Sequence, residues 1–195
     1  MNADTRSILF PLEGYRSRET GLFVAQLDEL TKLLIVDLEG ALPEELAWQP
    51  APGMNTVGML LAHIAVVEVF WTQVGPLGMT SFATDDVLGI GIDDDGLPLP
   101  EGAAPPAGLA GKGLGFFIDL IGRGREYCKR ATRPLTDTDL DREVSRTRRN
   151  GAQETANLRW IYHHLVEHLA GHYGQVNMLR HYYRVSRGVP DPQRR

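Results

Sequence analysis

Cysteine is almost missing from this 195-residue chain, with Cys128 standing alone. A single thiol closes no internal disulfide and excludes multi-cysteine zinc and iron–sulfur sites. Lysine is scarce too, three residues against seventeen arginines. We assign that bias to genome composition, because the arginines are scattered apart from 142–149 and the C-terminus. Basic charge is not in excess either. Twenty basic against twenty-five acidic residues leave a net charge of −5, which suits neither DNA nor phosphate surfaces, so no nucleic-acid partner is expected. The most apolar stretch, Val57–Val74, contains His63, Glu68, Thr72 and Gln73. That polar load reads as a buried core helix rather than a membrane span. The opening residues MNADTRSILFPLEGYR lack the basic and long apolar regions of an export signal, so a cytoplasmic address is expected.

What is present reads as one soluble domain over residues 1–195, with 43% hydrophobic and 23% charged residues. Its core is expected over 14–187, with 188–195 as a flexible tail. Apolar residues recur at helical spacing over residues 16–39, 55–74, 113–132 and 155–187. Asn55 reads as the N-cap of the second helix, and Gly188 and Pro190 as the end of the fourth. No segment reads convincingly as a strand. The expected fold class is therefore all-α, a four-helix bundle.

Two connections are long. Residues 77–112 are rich in Gly, Pro and Asp, the composition of an irregular lid or mobile segment. Asp93, Asp94 and Asp95 do not begin a calcium loop, since no Glu stands twelve residues along, so they read as a solvated acidic turn. Gly108 to Gly113 has neither a preceding strand nor a Ser or Thr after Lys112, so it is no phosphate loop. Residues 134–154 hold Arg142, Arg146, Arg148 and Arg149 and read as a solvated loop face, ahead of an anion site.

Imidazole is the plentiful functional group: six histidines, four of them between His163 and His172. His164, His168 and His172 follow at four-residue intervals, a drift of only about 40° per step on a helix, so they share one face. Such pairs recur in helical metal sites, but they also line solvated faces and interfaces. The segment is not a zincin helix, because Leu169 follows His168 where Glu is needed. His164-Leu165-Val166-Glu167-His168 matches the inverted H-x-x-E-H order, yet no Glu follows Glu167 to complete that ligand set. His63, alone on an apolar helix, reads by itself as a core residue with one hydrogen-bond partner. Its place near mid-helix matches that of His168 and His172. Were the two helices neighbours, three imidazoles would converge and leave an open coordination position, an arrangement that activates bound water or thiol.

These residues resemble the DinB/YfiT-like superfamily of bacterial metal-dependent proteins. The resemblance is carried by Trp48-Gln49-Pro50-Ala51-Pro52-Gly53, by Leu60-Leu61-Ala62-His63-Ile64 with Phe70-Trp71 after it, and by His168 to His172-Tyr173-Gly174-Gln175. It spans roughly Gly14 to Tyr183. It implies a four-helix bundle holding a divalent metal ion, commonly zinc or nickel, on His63, His168 and His172; all-imidazole ligation is also compatible with iron or manganese. It implies S-transfer or isomerisation on a small electrophilic substrate, with a low-molecular-weight thiol such as bacillithiol, mycothiol or glutathione, or water, as the activated partner. It also implies a homodimer. The alternative is a non-catalytic metal-binding or stress-response bundle. No catalytic residue or general base is singled out. Gly171 stands where relatives often carry a further His, and the 77–112 connection is long for the family. His164 reads as a neighbour of the ligands or a solvent-facing residue, and Gln175 equally as packing or as support for His172. His163 and His181 read as surface residues, and Cys128 as inert. Any reacting thiol must then come from a cosubstrate.

Overall fold

Side-chain caps set where three of the long helices begin. Ser17 accepts from the backbone N–H of Thr20, Thr56 from Met59, and Asn157 from Trp160, each satisfying an otherwise orphaned donor of the first turn. In the computed structural model, which describes residues 8–148 and 150–189, the chain forms six α-helices. They are α1 (Arg18–Asp37), α2 (Pro43–Leu46), α3 (Val57–Val74), α4 (Asp85–Leu88), α5 (Leu114–Thr132) and α6 (Leu158–Arg187). The four long ones lie within three residues of the sequence expectation at every end. The cap of α3 is Thr56, not Asn55. Gly188 closes α6 in the left-handed region, at φ +64°, where a side chain would be strained. Pro190, and the tail from there to Arg195, lie outside the described residues.

The strandless expectation is corrected by one antiparallel hairpin, β1 (Glu143–Thr147) with β2 (Gln153–Asn157). The fold is mostly helical with a small two-stranded sheet. Its register pairs Val144 with Ala156 and Arg146 with Glu154, placing these four partly buried residues on one face. Alternation over five residues in which charge and hydroxyl outnumber hydrocarbon is a weak period-two signal, which is why the sequence reads as loop.

Helix α3 is the centre. Fifteen of its eighteen residues are buried, because α5 packs on one side and α6 on another. By length and composition it could cross a membrane, but 83% of it is buried within the protein, so it is the core helix its polar residues suggest. Gly75 at its end meets Ile161 and Leu158, Trp71 meets Trp160 and His164, and His63 meets His168 and His172. Numbers that rise along α3 thus fall along α6, and the two helices run antiparallel. Helix α1 packs on α6, completing the core around Leu27, Leu34, Phe117, Leu120 and Tyr162.

Glu68, the carboxylate of α3, is neutralised within the core. Arg125 of α5 donates to it from Nε at 2.6 Å and from Nη2 at 3.0 Å, and also reaches Asp28 at 2.8 Å. Burial alone would make Arg125 easier to deprotonate, but Glu68 and Asp28 raise its pKa instead. Burial, and then the charge of Glu68, push the nearby Cys128 thiol up to about 12, which fits the inert reading.

Candidate metal centre

His63 sits midway along α3, and His168 and His172 project one turn apart from α6. One ring nitrogen from each falls within 4.8 Å of the other two. The ring centroids lie 4.9 Å apart for His63 and His168, 5.0 Å for His63 and His172, and 4.3 Å for His168 and His172. The antiparallel pairing of α3 with α6 is what brings them together.

Two of the three outer nitrogens are already engaged. His63 Nδ1 lies 2.8 Å from Asp95 Oδ2, and His172 Nδ1 lies 2.9 Å from Gln175 Oε1. An ionised carboxylate and an amide oxygen only accept, so each Nδ1 carries the proton and each Nε2 turns a lone pair to the cluster. His168 Nε2 stands 3.0 Å from His172 Nε2. A proton on His168 Nε2 serves one inward lone pair, whereas a divalent cation serves all three nitrogens together. The donor set therefore fits a metal ion.

The local electrostatics favour the neutral ring, the form that ligates, at His168 and His172. Burial, reinforced by His172, His63 and His164, holds His168 down to about 2. Burial also lowers His172, with the Gln175 hydrogen bond opposing it. All three residues are partly exposed, His63 by 20% at its side chain.

His164 stands outside the three-residue cluster. Its ring stacks on Trp160 at 5.0 Å and meets Trp71 edge-on at 5.6 Å, and burial lowers its pKa. Gln175 takes the supporting role through His172. His163 and His181 are exposed, as expected. At Gly171, among the described residues, an added Cβ would meet nothing within 4 Å, so a side chain there would face away from the cluster.

Of the described arginines of the 134–154 connection, Arg142 and Arg148 are exposed, as on a solvated face, whereas Arg146 is half-buried, and each has a partner within the protein. Arg142 donates to the carbonyls of Gly75 and Pro76 at 3.1 Å. Arg146 pairs with Glu154 at 2.5 Å and lies over Trp71 and Phe70 at 4.7 and 5.3 Å. Arg148 also pairs with Glu154, and Arg149 lies outside the described residues. On the far side, one turn from the cluster on both helices, a cavity of about 290 Å³ is lined by Met54, Leu60, Gln175, Met178 and Leu179, with Gly53 and Asn55.

Sequence reasoning missed Asp95. The acidic turn is not solvated throughout: Asp93 and Asp94 are exposed, but Asp95 is 1% exposed against His63. Nothing in the spacing of three consecutive aspartates distinguishes the third from the others.

A mostly helical fold, with one histidine from its central helix facing an i, i+4 pair from its last, is the architecture of the DinB/YfiT-like superfamily, to which the chain belongs. Within it, residues 22–184 match the family model described as mycothiol S-transferase, and the chain is a member of that family. The matched span runs from α1 into the last turns of α6 and contains all three histidines. A comparison with curated proteins finds no match.

Proposed function

We propose that this protein is a thiol S-transferase in which His63, His168 and His172 hold a divalent metal ion, zinc or nickel, at the heart of a four-helix bundle. The observation that carries the reading is the convergence of three imidazole nitrogens within 4.8 Å, two with their tautomer set by outer partners. When bound, the metal supplies Lewis acidity that keeps a thiol, or a water, deprotonated near neutral pH. Asp95 and Gln175 hold the rings of His63 and His172. Burial keeps the His168 ring neutral, so one of its nitrogens keeps a lone pair for a metal at neutral pH.

The reacting thiol enters from solution, because Cys128 is fully buried. In the transfer, its sulfur forms a bond to the electrophilic carbon, the leaving group departs with its electron pair, and the thiol proton passes to solvent. The methionine-bearing cavity beside Gln175 and the Trp71–Trp160 side offer apolar ground for the small electrophile on either flank. Partial exposure of the histidines favours catalysis over the non-catalytic alternative, since structural sites are closed by protein ligands whereas catalytic ones keep a position open. A cytoplasmic address goes with this reading, because soluble thiols are kept reduced there.

The homodimer implied by kinship belongs to the same reading. Met178, Tyr182 and Val185 are exposed at helical spacing on α6, and sedimentation velocity of the purified protein checks it. The deciding experiment is turnover: metal-loaded protein is incubated with mycothiol, bacillithiol or glutathione across a panel of small electrophiles. Thiol-dependent product formation that disappears in His168→Ala is expected. No acceleration with any of the three thiols would overturn the transferase reading.

A further inference from the structure

Asp95 lies 32 positions from His63, on the connection between α4 and α5, and is almost fully buried. Burying a carboxylate is costly unless its oxygens are occupied. Here both are. Oδ1 accepts from the backbone N–H of Leu97 at 2.9 Å, and Oδ2 meets His63 Nδ1 at 2.8 Å.

The backbone at this point is shaped to deliver the carboxylate. Gly96 sits at φ +75°, and a Cβ there would fall 2.5 Å from Pro106 Cγ and 3.3 Å from Met59 Cε. Only glycine takes that conformation in that space. A turn-forming aspartate needs a single oxygen, the one on Leu97, and is ordinarily solvated. The second oxygen, spent on a histidine of the central helix, is unnecessary for the turn.

We propose that Asp95 is a positioning residue for the metal centre: its carboxylate locks His63 as the Nδ1–H tautomer and aims Nε2 at His168 and His172. The inference rests on the metal reading above. It makes the 77–112 connection a working part of the site, not a cover over it. An ionised carboxylate behind a ligating imidazole fixes ring orientation and raises donor strength, an effect worth about 10- to 100-fold in metal affinity.

Asp95→Asn separates this role from a structural one. Its remaining oxygen can still accept from Leu97, so the turn survives. Its amide group then faces His63 as a donor, which calls for the opposite tautomer and puts a proton on the ligating nitrogen. Metal-free full-length wild type, Asp95→Asn, His63→Ala and the double variant are titrated with Co²⁺ and Zn²⁺. Binding is followed by calorimetry and by the visible absorption of cobalt, and thermal midpoints are taken without metal. Expected are a Kd raised about 10- to 100-fold in Asp95→Asn, a weakened or shifted cobalt band, and a metal-free midpoint close to wild type. In the double variant, Asp95→Asn should add nothing to the loss from His63→Ala. A Kd within twofold of wild type overturns the inference while leaving the metal reading intact, and so does a loss that adds fully to that of His63→Ala. Absence of binding in wild type overturns the metal reading and the inference with it. Should Asp95→Asn fail to fold, nitrogen-15 spectra of zinc-loaded wild type decide instead. His63 must show a protonated Nδ1 and a metal-shifted Nε2, and the reverse assignment overturns the inference.

Discussion

Helix α3 turns two ionisable side chains inward, the buried Glu68 and the half-buried His63, five residues apart and so about 140° around the helix from each other. They meet different neighbours and different fates. Glu68 faces Arg125 of α5, which also reaches Asp28 and Thr31 of α1. Every charge there has an opposite partner at hydrogen-bond distance, and nothing in that cluster is left to offer. His63 faces α6, where its neighbours are two more imidazoles, and outer acceptors turn its own lone pair and that of His172 inward. Burial of a polar group marks function only when its partners leave a donor or acceptor aimed at a common point.

The largest expected effects break one cluster while sparing the other. His168→Ala should lower metal affinity by at least about 100-fold and abolish thiol transfer, leaving the metal-free thermal midpoint close to wild type. Metal content by mass spectrometry and turnover of the same samples check this. Arg125→Ala should do the reverse, costing about 3–5 kcal/mol of stability because it strands Glu68 as an unpaired buried charge. Denaturant unfolding reads that loss, and metal affinity per folded molecule should stay unchanged.

A smaller contrast lies within the metal cluster. Asp95 is buried whereas Gln175 is exposed, so Gln175→Ala should weaken cobalt binding by about 10-fold or less, below the loss in Asp95→Asn. The pH dependence follows from His168, whose folded value of about 2 lies far below the ordinary 6.5. Unfolded chains then bind the extra proton between those values, so the metal-free protein should lose stability as pH falls below 6.5 and keep it above. Thermal midpoints from pH 8 to 4 check the direction, and His168→Ala should flatten the slope. Least of all should native Cys128 respond: a thiol pushed up to about 12 and buried beside Glu68 should resist a disulfide reagent at pH 8 until the protein is unfolded.

Much of this architecture is legible along the chain. The four long helices follow from three-and-four spacing, and α3 reads as central because it is apolar nearly all round. His168 and His172 announce themselves by spacing on one helix. His63 could be joined to them only by assuming that its helix lies beside theirs, or by family resemblance. The hairpin was not legible, because Arg146 and Glu154 face inward as an ion pair where hydrocarbon would have signalled a strand. The arginines around it read as solvated, and Arg142 and Arg148 are exposed, but the partners that hold them are set by folding.

Local rules thus determined what depends on residues within a turn or two of each other: helix positions, caps and the shared face of His168 and His172; composition alone left Cys128 without a disulfide partner. Tertiary structure alone decided which distant groups meet. It set α3 antiparallel to α6, bringing His63 within 5 Å of two rings more than a hundred residues away. It also turned the chain at Gly96 so that the third of three aspartates, and not the first two, enters the core. Periodicity reports the direction a side chain takes from its own helix; only packing supplies the atom at the other end.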